Sequence, residues 1–217
     1  MSTVVVCCET LKDEMALAVE RTGCDLPFLW LKSGLHNSPE VLREKLQEVL
    51  DGIEGYRRVL LGFGFCGNAL AGLCTKDFEM IIPRADDCIT ILLGSVAVRQ
   101  SHERCYFLTK GWLDGERNIY QEYLYSVEKY GLEMGKKIGK MLLGSYHNLA
   151  VLDTGAFPLD ALCEQTRPIA KELELEHLVI PASIEFLEAL LAGPWPRERF
   201  LTIPPHTEID SRQLEPA

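Results

Sequence analysis

The segment LLGFGFCGNALAGLCTKDFEMIIPRADDCITILLGS, residues 60–95, decides the fold class of this chain. Apolar runs at residues 59–63 and 80–82 are each followed at once by a turn and then by a cysteine that opens a helical pattern. This order predicts strand, turn and helix twice over. Cys66 and Cys88 are therefore predicted to lie at strand-to-helix turns, where open parallel sheets bind ligands. The amino ends of the two helices would favour a thiolate over a thiol.

The same alternation of strands and helices continues on both sides of this segment. Strands are predicted at residues 3–7, 26–31, 105–108, 149–152, 177–180 and 200–203, with helical patterns between them. The alternation predicts a Rossmann-like α/β fold, with a mostly parallel sheet and helices on both of its faces. The first and last thirds of the chain match element for element. This match is either an internal β-α-β-α-β duplication or the ordinary appearance of an alternating chain.

Composition and charge limit the classes of function. The chain has 217 residues, of which 47 % are hydrophobic and 25 % charged, and we expect one globular α/β domain over residues 1–205 with residues 206–217 as a loosely attached tail. The net charge of -10 argues against a nucleic-acid partner. No apolar run is long enough to span a membrane, and no basic leader precedes the first strand, so we expect a cytoplasmic protein.

The eight cysteines have no secretory context, which favours free thiols or metal ligands over a disulfide framework. Four of them lie in apolar runs and are expected to be small buried residues: Cys7, Cys74, Cys105 and Cys163.

Three thiols and one imidazole are predicted to reach the same edge of the sheet, because each lies in a loop that follows a strand. They are Cys8, His36, Cys66 and Cys88. This set suits a tetrahedral Zn²⁺ or another soft transition metal, although the spacing is not a known zinc signature. Two other interpretations stay open. The cysteines could form a redox pair, with Cys66 as the nucleophile and Cys88 as its resolving partner, or they could simply pack against the sheet.

Further candidates lie at the same predicted edge. Of the neighbouring carboxylates Asp86 and Asp87, one is expected to cap a helix, and Asp87 is a candidate catalytic group that would move a proton. The run at residues 62–67 reads G-x-G-x-x-G, but it lacks the acidic residue about 20 positions later that would bind a ribose. The loop could still bind an anion through its N–H groups. The candidate ligand- or cofactor-binding residues are Gly64, Gly67, Thr109, Gly111, Trp112 and Asp153.

Five ordered motifs together resemble one known family. They are LHNSPEVLREKL, GFGFCGNALAGL, PRADDCITILLGS, FLTKGW and a late DTG. The chain resembles the DUF1638 family, bacterial and archaeal proteins without an assigned function. The resemblance implies an association with corrinoid-dependent methyltransferase systems of anaerobes, in which thiols accept methyl groups and zinc activates thiols.

From the residues and the resemblance we expect a metal-binding protein of one-carbon metabolism. It would be a methyltransferase or a carrier of a metal or cofactor, it would bind Zn²⁺ or another soft metal, and it would reach a corrinoid through a partner protein. If it is an enzyme, it is a metal- and thiol-dependent transferase. Two alternatives remain: a non-catalytic partner of a corrinoid protein or methyltransferase, and a metal-free thiol-redox enzyme. A small-molecule ligand is compatible with each of them.

Overall fold

The computed structural model describes residues 2–35, 38–115 and 118–215. The strands in this part of the chain are β1 (Thr3–Cys8), β2 (Phe28–Leu31), β3 (Arg58–Gly62), β4 (Glu79–Pro83), β5 (Cys105–Leu108), β6 (Asn148–Asp153), β7 (Glu176–Pro181) and β8 (Phe200–Ile203). The helices are α1 (Lys12–Thr22), α2 (Pro39–Asp51), α3 (Cys88–Leu93), α4 (Val96–Ser101), α5 (Lys110–Leu113), α6 (Ile119–Tyr130), α7 (Leu132–Leu142), α8 (Leu159–Glu172) and α9 (Glu185–Ala192). None of these helices is both long and apolar enough to cross a membrane.

The strands form two sheets. The first has the order β2-β1-β3-β4-β8, and the second has the order β5-β6-β7. All neighbouring strands are parallel except β8, which runs antiparallel to β4. The predicted Rossmann-like α/β fold with a mostly parallel sheet is therefore confirmed. Its division into two sheets was not predicted.

Three apolar clusters show how the layers are stacked. Helices α1, α3 and α9 lie between the sheets and pack against one face of each, as the cluster that joins Leu60, Phe107 and Leu187 shows. Helix α2 covers the outer face of the first sheet, and α6 and α8 cover the outer face of the second. Each sheet thus has helices on both faces. The consequence is that strand interiors such as β1 are buried over all six residues.

One carboxylate is buried in the middle layer. Glu14 of α1 is 0 % exposed, and its Oε1 accepts a hydrogen bond of 3.3 Å from the hydroxyl of Thr154, which follows β6. Its Oε2 has no hydrogen-bond partner among the described residues. Glu14 lies on the same face of α1 as Leu11, Met15 and Ala18. The pKa of Glu14 is raised from 4.5 to about 7, and burial is the main cause.

The first and last thirds of the chain, which match element for element in sequence, differ in topology. In the first third, β3 pairs with β1 in parallel. Its counterpart in the last third, β8, does not pair with β6 but pairs with β4 of the other sheet.

The segment after Pro205, which we expected to be loosely attached, is hydrogen-bonded to the loop before β4. The N–H of Ile209 donates to the carbonyl of Leu73 at 2.9 Å, and Ile209 and Leu214 are buried.

Candidate functional site

A cavity of about 370 Å³ opens at the carboxyl edge of the first sheet. Three cysteines, two aspartates, one lysine and one threonine line it together with apolar and glycine residues. Its lining residues are Cys8, Thr10, Lys32, Leu35, Leu42, Phe63, Gly64, Cys66, Gly67, Asp86, Asp87, Cys88, Ile89 and Trp112. Loops that follow β1, β2, β3 and β4 all contribute, because parallel strands end at one edge. Trp112 comes from α5, which follows β5 of the second sheet.

Two loops that carry thiols are held together backbone to backbone. The N–H of Phe65 donates to the carbonyl of Ala85 at 2.8 Å, and the N–H of Cys66 donates to the carbonyl of Asp86 at 2.7 Å. At Gly64 a Cβ atom would lie 2.5 Å from the Cα of Asp87, so only glycine permits this approach. The contact fixes the Cys66 loop against the start of α3.

The helix predicted to begin at Cys66 does not form. Cys66, Gly67 and Asn68 have φ values of 47°, 66° and 66°, and residues 66–72 form turns. Three successive left-handed residues cannot start a right-handed helix. Cys66 therefore has no helix dipole to stabilise its thiolate. Cys88, in contrast, is the first residue of α3, as predicted.

Each of the three sulfur atoms lies near a protein group that favours its thiolate form. The hydroxyl of Thr10 donates a hydrogen bond to Cys8 Sγ at 3.0 Å, and its backbone N–H acts on the same sulfur. The Gly64 backbone acts to lower the pKa of Cys66, and the Trp112 side chain acts to lower the pKa of Cys88. A charged sulfur is the stronger acceptor, so polar groups of this kind favour the thiolate.

Burial nevertheless raises the pKa of the three thiols more than these polar groups lower it. It raises the pKa of Cys66 to about 12 and the pKa of Cys88 well above its usual value, and it also raises the pKa of Cys8. Repulsion among the three sulfurs raises the pKa of Cys66 and Cys88 further, and so does Asp87. The expectation that helix ends favour thiolates is therefore wrong here. The reason is the low polarity of the cavity wall.

The two aspartates at the cavity have different tasks. Asp87 caps α3: its Oδ1 accepts the N–H of Thr90 at 2.7 Å and the Thr90 hydroxyl at 2.9 Å. Its Oδ2 lies 4.0 Å from Nε of Arg99. Asp86 is exposed at the rim, and partial burial, together with the neighbouring Asp87, raises its pKa. The second carboxylate oxygen of Asp87 is thus outside the helix cap and is paired with Arg99.

Thr109 and Gly111 affect the cavity because they position α5, whose residue Trp112 lines the cavity. Thr109 is buried and caps α5 by accepting the N–H of Trp112 at 3.3 Å. A Cβ atom at Gly111 would overlap the carbonyl of Thr10, so glycine lets α5 approach the Cys8 loop. Asp153 lies elsewhere: its carboxylate accepts the N–H of Gly155 at 3.2 Å, and it does not line the cavity.

The predicted metal ligands are brought together only in part. Cys8, Cys66 and Cys88 line one cavity, and His36 lies outside the described residues. Within the described part of the chain, no group of three or more His, Cys, Asp or Glu side chains is arranged to hold a metal ion. Cys74, expected to be buried, is exposed and lies away from the cavity.

Sequence reasoning missed several positions of the cavity wall. Lys32 follows β2 at the same sheet edge, so the rule that identified Cys8 could also have identified it. Thr10, the donor to Cys8, had no signal of its own in the sequence. Leu35, Leu42 and several other wall residues belong to apolar patterns that predict only packing. These walls make most of the cavity apolar.

Comparison with families of proteins places the chain in one of them. The family model for a protein of unknown function, DUF1638, matches residues 30–191, which is well over half of the chain. Comparisons with curated proteins and with solved structures gave no significant match. The match covers the Cys66 and Cys88 loops and Trp112, but not Cys8. The chain therefore belongs to the DUF1638 family.

Proposed function

We propose that the cavity binds a soft metal ion through the sulfurs of Cys8, Cys66 and Cys88. The observation that carries this proposal is that three thiols from three separate loops line one cavity. One of them, Cys8, accepts a hydrogen bond of 3.0 Å from the Thr10 hydroxyl. Donors to sulfur are typical of thiolate ligands, whose charge they help to stabilise. A cluster of thiols that only filled space would not need such a donor.

The electrostatics of the cavity support a ligand role over a nucleophilic one. With a pKa of about 12, Cys66 is a neutral thiol near pH 7, and a neutral thiol is a poor nucleophile. The metal-free thiol-redox alternative is therefore disfavoured. A divalent cation reverses the balance because its charge compensates burial and repulsion, so binding would release protons from the thiols.

The arrangement of the thiols sets a condition on the proposal. Because the described side chains do not form a ready metal-holding group, the thiols would have to rotate about χ1 toward a common centre. The backbone around Cys66 and Cys88 is held by the hydrogen bonds between their loops, so only the side chains need to move. Asp87, with one oxygen not engaged in capping, would take or give a proton beside the ion.

The cavity is larger than a metal ion, which leaves space for an organic ligand. Its volume of about 370 Å³ lies in the lower range of small-molecule sites. The walls include Leu35, Phe63 and Trp112, and Lys32 lies at the rim, where it would contact an anionic group. A soft metal would activate a thiol of the bound molecule by holding it as a thiolate. We propose that this chemistry serves anaerobic one-carbon metabolism, with a corrinoid supplied by a partner protein.

Titration of the reduced, metal-free protein with Co²⁺ tests the proposal. Thiolate ligation gives a sulfur-to-metal charge-transfer absorption, and pH-stat titration measures proton release. Cys66→Ser and Cys88→Ser should each weaken binding by about tenfold or more. Cys74→Ser, a substitution of an exposed cysteine away from the cavity, is the matched control and should bind like the wild type. Equal binding by all four proteins, or no charge-transfer band, would contradict the proposal.

A further inference from the structure

A second cavity, of about 400 Å³, lies beyond the end of β4. Its walls come from α3, α4 and the link between them, from α9, and from residues near the ends of β4, β7 and β8. Among the described residues, it shares no lining residue with the cavity of the three thiols, and its charged groups are Arg84, Arg199 and Glu185. The charge at this cavity is therefore positive, although the chain as a whole carries a net charge of -10.

The two arginines lie opposite each other at the end of one pair of strands. Pro83 and Phe200 form the last antiparallel pair of β4 and β8. One step further, the N–H of Arg84 donates to the carbonyl of Arg199 at 2.8 Å. Opposite residues of an antiparallel ladder have neighbouring side chains, and like charges in such positions repel each other. An anion that contacts both guanidinium groups would relieve this repulsion.

The positive charge of Arg84 is not neutralised by the part of the chain that the structure describes. Its Nε donates to the carbonyl of Arg197 at 2.8 Å, and its Nη1 donates to the carbonyls of Glu215 at 3.0 Å and Gln213 at 3.4 Å. Carbonyl groups hold the guanidinium group in place but carry no net charge. Among the described residues, Arg84 forms no ion pair and its Nη2 has no hydrogen-bond partner. Arg84 is thus a fixed cation with a donor to spare.

Arg199 is held at the same cavity and also has donors to spare. Its guanidinium carbon lies 4.6 Å from the ring centre of Phe186, and its Nη1 donates to Glu185 Oε1 at 3.2 Å. This ion pair is weak, because 72 % of the Glu185 side chain is exposed to solvent. Nε and Nη2 of Arg199 have no hydrogen-bond partner within residues 2–35, 38–115 and 118–215. A ligand could therefore bind Arg199 without breaking a buried contact.

Two serine hydroxyls complete the polar part of the wall. Ser95 Oγ accepts the N–H of Val98 at 3.2 Å, and Ser183 Oγ accepts the N–H of Glu185 at 3.1 Å. Neither hydroxyl donates to a described acceptor, so each keeps its own hydrogen for a ligand. With the three remaining guanidinium nitrogens, the cavity offers five donor groups. A carboxylate has about four lone-pair sites, whereas a phosphate monoester presents three oxygens and a larger negative charge.

We propose that this cavity binds a small organic phosphate monoester. The phosphate group would contact Arg84 and Arg199. The apolar body of the ligand would lie against Ile91, Val96 and Phe186, which form the apolar part of the wall. The volume of about 400 Å³ is within the range of small-molecule sites and is larger than an inorganic anion needs. This proposal is independent of the metal site, because the described linings of the two cavities do not overlap.

Isothermal titration of the metal-free protein with phenyl phosphate, at physiological salt, tests the proposal. The wild type should bind phenyl phosphate about tenfold more tightly than benzoate and should not bind benzyl alcohol. Arg199→Gln should weaken the binding of phenyl phosphate about tenfold or more, because it removes a charged donor. Arg197→Gln is the matched control: it removes the same charge from an exposed side chain that does not line the cavity, and it should bind like the wild type.

A second variant separates loss of the site from loss of the fold. Glu185→Gln removes the carboxylate that competes for Arg199, so it should tighten the binding of phenyl phosphate about threefold. A damaged protein would not bind more tightly. No binding by the wild type, or equal affinities of Arg199→Gln and Arg197→Gln, would overturn the proposal. Tighter binding of benzoate than of phenyl phosphate would overturn it in favour of a carboxylate ligand, and equal binding of benzyl alcohol would overturn it in favour of a neutral one.

Discussion

Replacement of the buried carboxyl group of Glu14 should stabilise the protein in a pH-dependent manner. The pKa of Glu14 rises from 4.5 to about 7 on folding, chiefly through burial. This difference of about 2.5 in pKa corresponds to about 3 kcal/mol. The folded state binds the proton more tightly than the unfolded state, so wild-type stability falls as pH rises from about 4.5 to about 7 and the loss is complete above that. Glutamine has nearly the same shape and cannot ionise.

We therefore expect Glu14→Gln to be more stable than the wild type by about 3 kcal/mol near pH 8 and nearly equal to it near pH 4. For a chain of this size, the gain corresponds to about 6–12 °C in Tm. Urea unfolding followed by circular dichroism at several pH values measures both curves. Glu20→Gln, at an exposed position of the same helix, is the control and should show no such pH dependence. A constant difference between Glu14→Gln and wild type from pH 4 to 8 would refute the reasoning.

Three further substitutions test the packing and the site. Gly64→Ala should lower the free energy of unfolding by about 2 kcal/mol in urea titrations, because the new methyl group would collide with the backbone of Asp87. Leu46→Ala should lower it by about 2–5 kcal/mol, since this side chain is fully buried, whereas Val41→Ala on the exposed side of the same helix should change it little. Trp112→Phe should weaken Co²⁺ binding about tenfold in chelator competition, because the Trp112 side chain acts against the burial that raises the pKa of Cys88.

Matched controls separate these effects from general damage. Gly52→Ala adds the same methyl group where its nearest neighbour would be 3.5 Å away, so it should cost far less than Gly64→Ala. Equal losses at the two glycines would contradict the close approach of the loops. Unchanged Co²⁺ affinity in Trp112→Phe would show that the Trp112 side chain does not support a ligand.

Much of the fold was predictable because its elements are local. The apolar runs of β3 and β4 and the helix starts at Pro39 and Cys88 depend on neighbouring residues alone. The division into two sheets was not predictable from the sequence. The position of β8 beside β4 depends on pairing between residues that are more than 100 positions apart. The false helix at Cys66 has a similar cause. Its apolar spacing is helical, but the backbone contact at Gly64 holds the following residues in left-handed turns.

The convergence of Cys8, Cys66 and Cys88 at one edge followed from the parallel strands and could be predicted. The protonation of these thiols could not, since it depends on how deeply the loops bury them. Glu14 was missed for the same reason, although its place on the apolar face of α1 was a usable signal. Burial of a charged residue is decided by the second sheet, which covers that face.

The metal content of protein purified without oxygen tests the central claim most directly. Elemental analysis should find close to one soft metal ion per wild-type chain, and a large loss of that metal in both Cys66→Ala and Cys88→Ala. Cys74→Ala should retain the wild-type content. Wild-type protein without metal, or an equal metal content in all four proteins, would contradict the account.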